Sequence, residues 1–133
     1  MPKRILVVDD EPHLVSLLET RLRAMGFETL SAMDGQKGLE MAKKERPDLI
    51  ILDLMLPRMD GLKVCALLKK DMRYAHIPVI LFTAKVQEQD QAMGQEAGAE
   101  AYVTKPFEPQ TLMIKIQELL NLFDDAKAKE ISG

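Results

Sequence analysis

Residues 5–26 read ILVVDDEPHLVSLLETRLRAMG. The stretch opens with four apolar residues, 5–8, turns through Asp9 and Asp10, and then changes to a helical rhythm. Pro12 suits the first helical position, because its missing N–H is one that the first turn leaves unbonded anyway. Leu14, Leu17, Leu18, Leu22 and Met25 then trace one apolar stripe, and Gly26 ends it. A short apolar strand followed by an amphipathic helix is the repeating unit of parallel sheets, whose strands are covered on both faces.

The unit recurs four more times. Strand candidates follow at 28–32, 49–52, 79–82 and 101–104, and 28–32 is polar enough to predict an edge strand. Asp34 can cap a second helix that ends before Pro47. Gly61 precedes a third, carrying Val64, Leu67 and Leu68. A fourth, about 87–97, has few apolar anchors, and its Gly94 costs about 1 kcal/mol relative to alanine. It reads equally as a plain exposed helix or as an element able to reposition. The fifth starts near Pro109 and points Leu112, Met113, Ile116, Leu119, Leu120 and Phe123 inward. Residues 1–123 make one domain on this reading. Residues 124–133 form a polar tail that nothing in the sequence ties down.

Strand–helix alternation of this kind predicts an α/β fold, a parallel sheet with helices on both faces and right-handed crossovers. The chain's 133 residues suffice to bury a core without disulfides or a structural metal. Apolar content of 47% and charged content of 29% are ordinary for a globular domain. A net charge of -3 gives no reason to expect contact with nucleic acid or an anionic membrane. No apolar run approaches a membrane span, and the run after Lys3 and Arg4 is too short for a secretory signal. A single cysteine, Cys65, rules out an internal disulfide, suggests the reducing cytoplasm and reads as helix or core filler. His13 and His76 read as surface residues, and the nine methionines as fillers of core gaps.

Ligands bind such sheets at the carboxyl ends of the strands. The first strand ends in Asp9-Asp10, the third in Asp53, the fourth in Thr83 and the fifth in Lys105-Pro106. Each alone is ordinary turn or cap chemistry. Together they bring three carboxylates, a hydroxyl and an ammonium to one edge. Clustered carboxylates repel one another, and a hard dication relieves that repulsion. Magnesium suits them, because it takes few protein carboxylates and keeps several waters. Asp10 and Asp53 read as direct ligands and Asp9 as one acting through water. Lys105 adds a cation against a phosphoryl group, so the set fits phosphoryl transfer to a carboxylate.

Four segments resemble the receiver domain of two-component response regulators: ILVVDDE (5–11), DLMLPRMDG (53–61), PVILFTA (78–84) and GAEAYVTKPF (98–107). The resemblance spans residues 4 to about 123. It implies a flavodoxin-like, doubly wound five-stranded sheet in the order 2-1-3-4-5 with five helices. It further implies that Asp53 is the phospho-acceptor and that Asp9 and Asp10 hold Mg2+, with the Met55 backbone carbonyl as a further ligand. Thr83 would be the switch hydroxyl, Tyr102 the aromatic that follows it, and Lys105 the partner of the phosphoryl oxygens. The Lys105–Pro106 bond would be cis. Met55 and Lys85 stand where the family tunes phosphoryl lifetime, and an apolar Met55 predicts slow autodephosphorylation.

The function implied is a cytoplasmic phosphorelay switch, not an enzyme beyond its own phosphorylation and dephosphorylation. Its donor would be a histidine kinase or histidine phosphotransfer protein, docking on the first helix and the loop after Lys105. Its output would leave through the fourth helix, fifth strand and fifth helix to an unnamed partner, without direct nucleic-acid or membrane contact. The protein would be a monomer or a phosphorylation-dependent homodimer. Relatives with a DNA-binding winged helix usually carry an acidic pair before the switch aromatic. Glu100-Ala101 departs from that pattern and counts against their symmetric dimer. Two alternatives stay open: an interaction module independent of phosphorylation, and the receiver fragment of a larger regulator. A haloacid dehalogenase-type phosphatase needs an acid where Met55 stands, and a flavodoxin's phosphate loop would be repelled by Asp9-Asp10-Glu11.

Overall fold

The computed structural model describes residues 2–83, 97–105 and 107–132, with the backbone alone beyond residue 121. Five strands, β1 (Arg4–Val8), β2 (Glu28–Ala32), β3 (Leu49–Asp53), β4 (Val79–Thr83) and β5 (Ala101–Thr104), form one sheet. Its order is β2-β1-β3-β4-β5 and every pairing is parallel, as expected. Four helices lie among the described residues: α1 (Pro12–Ala24), α2 (Gly35–Glu45), α3 (Gly61–Lys70) and α4 (Pro109–Ser132). α4 is the fifth helical pattern of the sequence, and the fourth pattern lies almost wholly outside the described residues.

The sheet separates two apolar layers. Leu39 and Ala42 of α2 and Val64, Cys65 and Leu68 of α3 pack on Leu6, Val8, Ile50, Leu52, Val79 and Leu81. Val15, Leu18 and Leu22 of α1 and Leu112, Ile116, Leu119 and Leu120 of α4 pack on Ile5, Val7, Leu49, Ile51, Ile80 and Phe82. Alternate residues of each central strand thus serve opposite layers, which explains their unbroken apolar runs. β2, at one edge, is mostly half-exposed.

Helix ends follow local chemistry. Glu11 caps α1, with its carboxylate accepting from the His13 N–H, while Asp34 and Asp60 cap α2 and α3. Arg46, at φ 47, ends α2 just before Pro47. Two expected faces differ in detail. Leu17 and Met25 of the α1 region are 45% and 57% exposed, and Val15 takes the inward place. The buried row is Val15, Leu18, Leu22, so the apolar stripe is wider than the face the sheet covers. In α3, Leu67 is 40% exposed and Cys65 is buried in its stead. The polar stretch after residue 123 continues α4 as helical backbone to Ser132, consistent with its alanine, lysine and glutamate content.

Candidate functional site

β1 and β3 run side by side, so the residues that follow their apolar cores arrive together. Asp9 is 2% exposed, Asp53 6% and Thr83 4%; these three are the buried polar side chains among the described residues. Carboxylate oxygens of Asp9, Asp10 and Asp53 lie within 4.8 Å of one another, and Asp10 is on the exposed side. Such crowding of hard oxygen donors is the chemistry of a divalent-cation site.

The Lys105 ammonium enters from the end of β5. It donates to Asp9 Oδ2 at 2.7 Å and to Asp53 Oδ2 at 3.4 Å. Its backbone N–H donates to the Thr83 carbonyl at 2.5 Å, which ties the ends of β4 and β5 together. The other oxygens are steadied by main chain: Glu11 N–H donates to Asp9 Oδ1 at 2.9 Å, and Met55 N–H to Asp53 Oδ1 at 3.3 Å. The end of β3 is held from behind. Leu54 N–H donates to the Phe82 carbonyl and Gly61 N–H to the Leu54 carbonyl, both at 2.9 Å. A Cβ on Gly61 would overlap the Asp53 carbonyl oxygen, so only glycine lets α3 start this close to Asp53.

The electrostatics are unbalanced. Burial, and then the neighbouring Asp9 charge, push the Asp53 carboxyl above its ordinary value, although Lys105 and the Met55 N–H pull the other way. Burial disfavours the Lys105 ammonium, yet its bond to Asp9 and the Asp53 charge outweigh that and raise it overall. One ammonium therefore serves two buried carboxylates, with a third at the rim.

Of the expected residues, Asp9, Asp10, Asp53 and Lys105 meet here, with Thr83 buried at the end of the adjacent strand. Tyr102 lies opposite Leu81 in the ladder, half-buried against the α3 side of the sheet. The Met55 side chain is 77% exposed at the rim. Lys85 and Pro106 lie outside the described residues. Sequence reasoning missed the aromatic floor: the Lys105 ammonium stands 5.3 Å from the Phe82 ring centroid, and Phe82 meets Phe107 edge-on at 5.1 Å. Both phenylalanines are next to singled-out residues, Thr83 and Pro106, and that adjacency was their one sequence signal.

A family model for the response regulator receiver domain matches residues 5–117. The chain belongs to that family. It is 42% identical over 120 residues to the alkaline phosphatase synthesis transcriptional regulatory protein PhoP of Bacillus subtilis, covering 90% of this chain and 49% of that protein. It is 43% identical over 121 residues to the DNA-binding dual master transcriptional regulator RpaA of Synechocystis, covering 91% and 50%. The receiver thus spans about half the length of these curated relatives. Among solved structures, a CheY-like receiver domain protein from Methanospirillum hungatei superposes with a TM-score of 0.90 at 28% identity, covering 95% of this chain and 99% of that one. The receiver domain of a Pseudomonas aeruginosa sensor histidine kinase, described with a magnesium ion coordinated in its active-site cleft, gives 0.84 at 27% identity, covering 91% and 99%.

These relatives correct one expectation. The absence of nucleic-acid contact was inferred from the net charge of -3. RpaA is a DNA-binding regulator by name, and the receiver matches half of it. The charge of a receiver says nothing about nucleic-acid contact by the protein that carries it.

Proposed function

We propose that the receiver is a phosphorylation switch whose acceptor is Asp53. The observation that carries this reading is the Lys105 ammonium held between the Asp9 and Asp53 carboxylates in a pocket fed by four strand ends. In the reaction, an Asp53 carboxylate oxygen forms a bond to phosphorus while the donor's phosphorus–nitrogen bond breaks. The electron pair leaves with the donor imidazole, and the product is an acyl phosphate. Hydrolysis returns the carboxylate and inorganic phosphate, so turnover extends to no other substrate.

Each residue has a role that follows from its place. Asp9, Asp10, Asp53 and the Met55 carbonyl would hold Mg2+, and the three clustered carboxylates fit that hard ion. Bound there, it supplies positive charge against the phosphoryl oxygens. Lys105 neutralises a further phosphoryl oxygen and keeps its bond to Asp9 while doing so. Thr83, one residue beyond the ladder partner of Asp53, offers the hydroxyl that answers the new group. Tyr102, on the adjacent strand and the same face, carries the response outward. Met55 tunes how readily water reaches the acyl phosphate.

The similarity to full-length transcriptional regulators favours one refinement: the receiver serves a regulator whose output is DNA binding. The switch itself is tested by incubation with Mg2+ and acetyl phosphate followed by intact-mass measurement. A gain of one phosphoryl group is expected, absent without Mg2+ and absent in Asp53→Asn. An equal gain in Asp53→Asn would refute the assignment.

A further inference from the structure

At the opposite end of the sheet lies a second cluster of charge, half-buried. The Lys69 ammonium, in the last turn of α3, donates to Glu100 Oε1 at 2.5 Å, to the Ile77 carbonyl at 2.6 Å and to the Ala75 carbonyl at 3.1 Å. Glu100 Oε2 accepts from the Val79 N–H at 2.6 Å, and the Glu100 N–H donates to the Val79 carbonyl at 3.0 Å. Glu100 thus closes a ring around Val79, the first residue of β4. The side chains are 11% and 20% exposed, so water competes little for these bonds.

The cluster reaches further along the chain. Gly98 adopts φ +90, and a Cβ there would come within 3.0 Å of the Lys69 stem. The Cys65 thiol, one turn earlier in α3, donates to the Ala97 carbonyl at 3.5 Å. Residues 97–100, which lead into β5, are therefore stitched to one flank of α3.

β5 is a four-residue edge strand whose ladder partner is β4. β5 pairs on one side only, so fewer contacts hold its register, and a slip of one residue would send each side chain to the other face. Glu100 and Tyr102 are two apart and share the α3 side of the sheet. We propose that Lys69 and Glu100 are positioning residues of the switch: their clasp on Val79 fixes the register of β5 and so sets where Tyr102 stands relative to Thr83. The inference rests on the proposed switch roles of Thr83 and Tyr102. It adds that α3, which starts against the Asp53 carbonyl and ends at this clasp, is the strut joining acceptor and response strand.

The test uses the whole chain, 15N-labelled, as parent and as Lys69→Met/Glu100→Gln, which removes both charges and keeps an acceptor for Val79. Amide exchange in β5 is measured against that in β1 and β3, and the Tyr102 amide shift is followed as beryllofluoride is added with Mg2+. In the variant, β5 amides should exchange about tenfold faster relative to the central strands. The beryllofluoride midpoint should stay within about twofold, while the Tyr102 shift change falls by about half or more. An unchanged exchange ratio, or a Tyr102 response equal to the parent's, overturns the proposal. A uniform rise in exchange across all strands also overturns it, because it marks general destabilisation. If the double variant does not fold, Glu100→Gln alone is read by the same two ratios. If the parent fails to respond to beryllofluoride, the phosphorylation reading falls, and the exchange ratio still judges the clasp.

Discussion

Two charge clusters sit at opposite ends of the same sheet, and they are built to opposite rules. Around Lys69, one ammonium meets one carboxylate, and both are further bonded to main chain. Around Lys105, one ammonium is shared by Asp9 and Asp53, with Asp10 beside them. The first cluster is complete as it stands. The second carries excess negative charge in a dry place, which costs stability unless a cation arrives. The difference separates a fastening from a site: similar groups fix the fold when satisfied and invite a ligand when not.

The largest effect should come from breaking the complete cluster on one side. Lys69→Ala leaves the half-buried Glu100 carboxylate without its cation, and leaving such a group unpaired costs about 1–3 kcal/mol. Urea denaturation should show it as a lower midpoint with an unchanged slope. A midpoint within experimental scatter of the parent's would show that the pair is not held together in solution.

The incomplete cluster should respond with the opposite sign. The folded Asp53 carboxyl is raised above its ordinary 3.8. A group raised on folding adds stability below its unfolded pKa and loses it as pH rises through the folded one. Asp53→Asn removes that loss. Metal-free Asp53→Asn should therefore melt a few degrees above the parent at pH 7, with the gap shrinking as pH falls towards 4. A gap that does not narrow on acidification would contradict the assigned direction.

The smallest effect belongs to the rim. Met55 is 77% exposed, so Met55→Asn should leave stability unchanged and shorten the life of the acyl phosphate only a few-fold. The decay of purified phosphorylated protein measures it, and an unchanged rate would remove Met55 from the list of tuning residues.

The architecture was legible because burial on both faces writes itself as apolar runs, and because parallel connections restrict topology to few choices. The incomplete cluster was legible for the same reason: its members stand at the carboxyl ends of β1, β3 and β5. The complete cluster was not. Lys69 is one of two adjacent lysines at a helix end, an ordinary place for a cation, and Glu100 stands 31 positions away with no spacing rule to link them. The rotation of α1 was also hidden, since Leu14, Leu17 and Met25 are as apolar as Val15 and only packing against the sheet decides among them. Lys85, Pro106 and most of the fourth helical pattern fall outside the described residues.

The close approach at Gly61 has a steric consequence. With helix backbone pressed against its carbonyl, Asp53 has no slack on the α3 side. The room there is that of a hydrogen atom, so a methyl group added at Gly61 would have to push α3 or the end of β3 aside. A missing side chain thereby acts as a spacer gauge: it sets how closely the helix can stand to the strand that ends in Asp53.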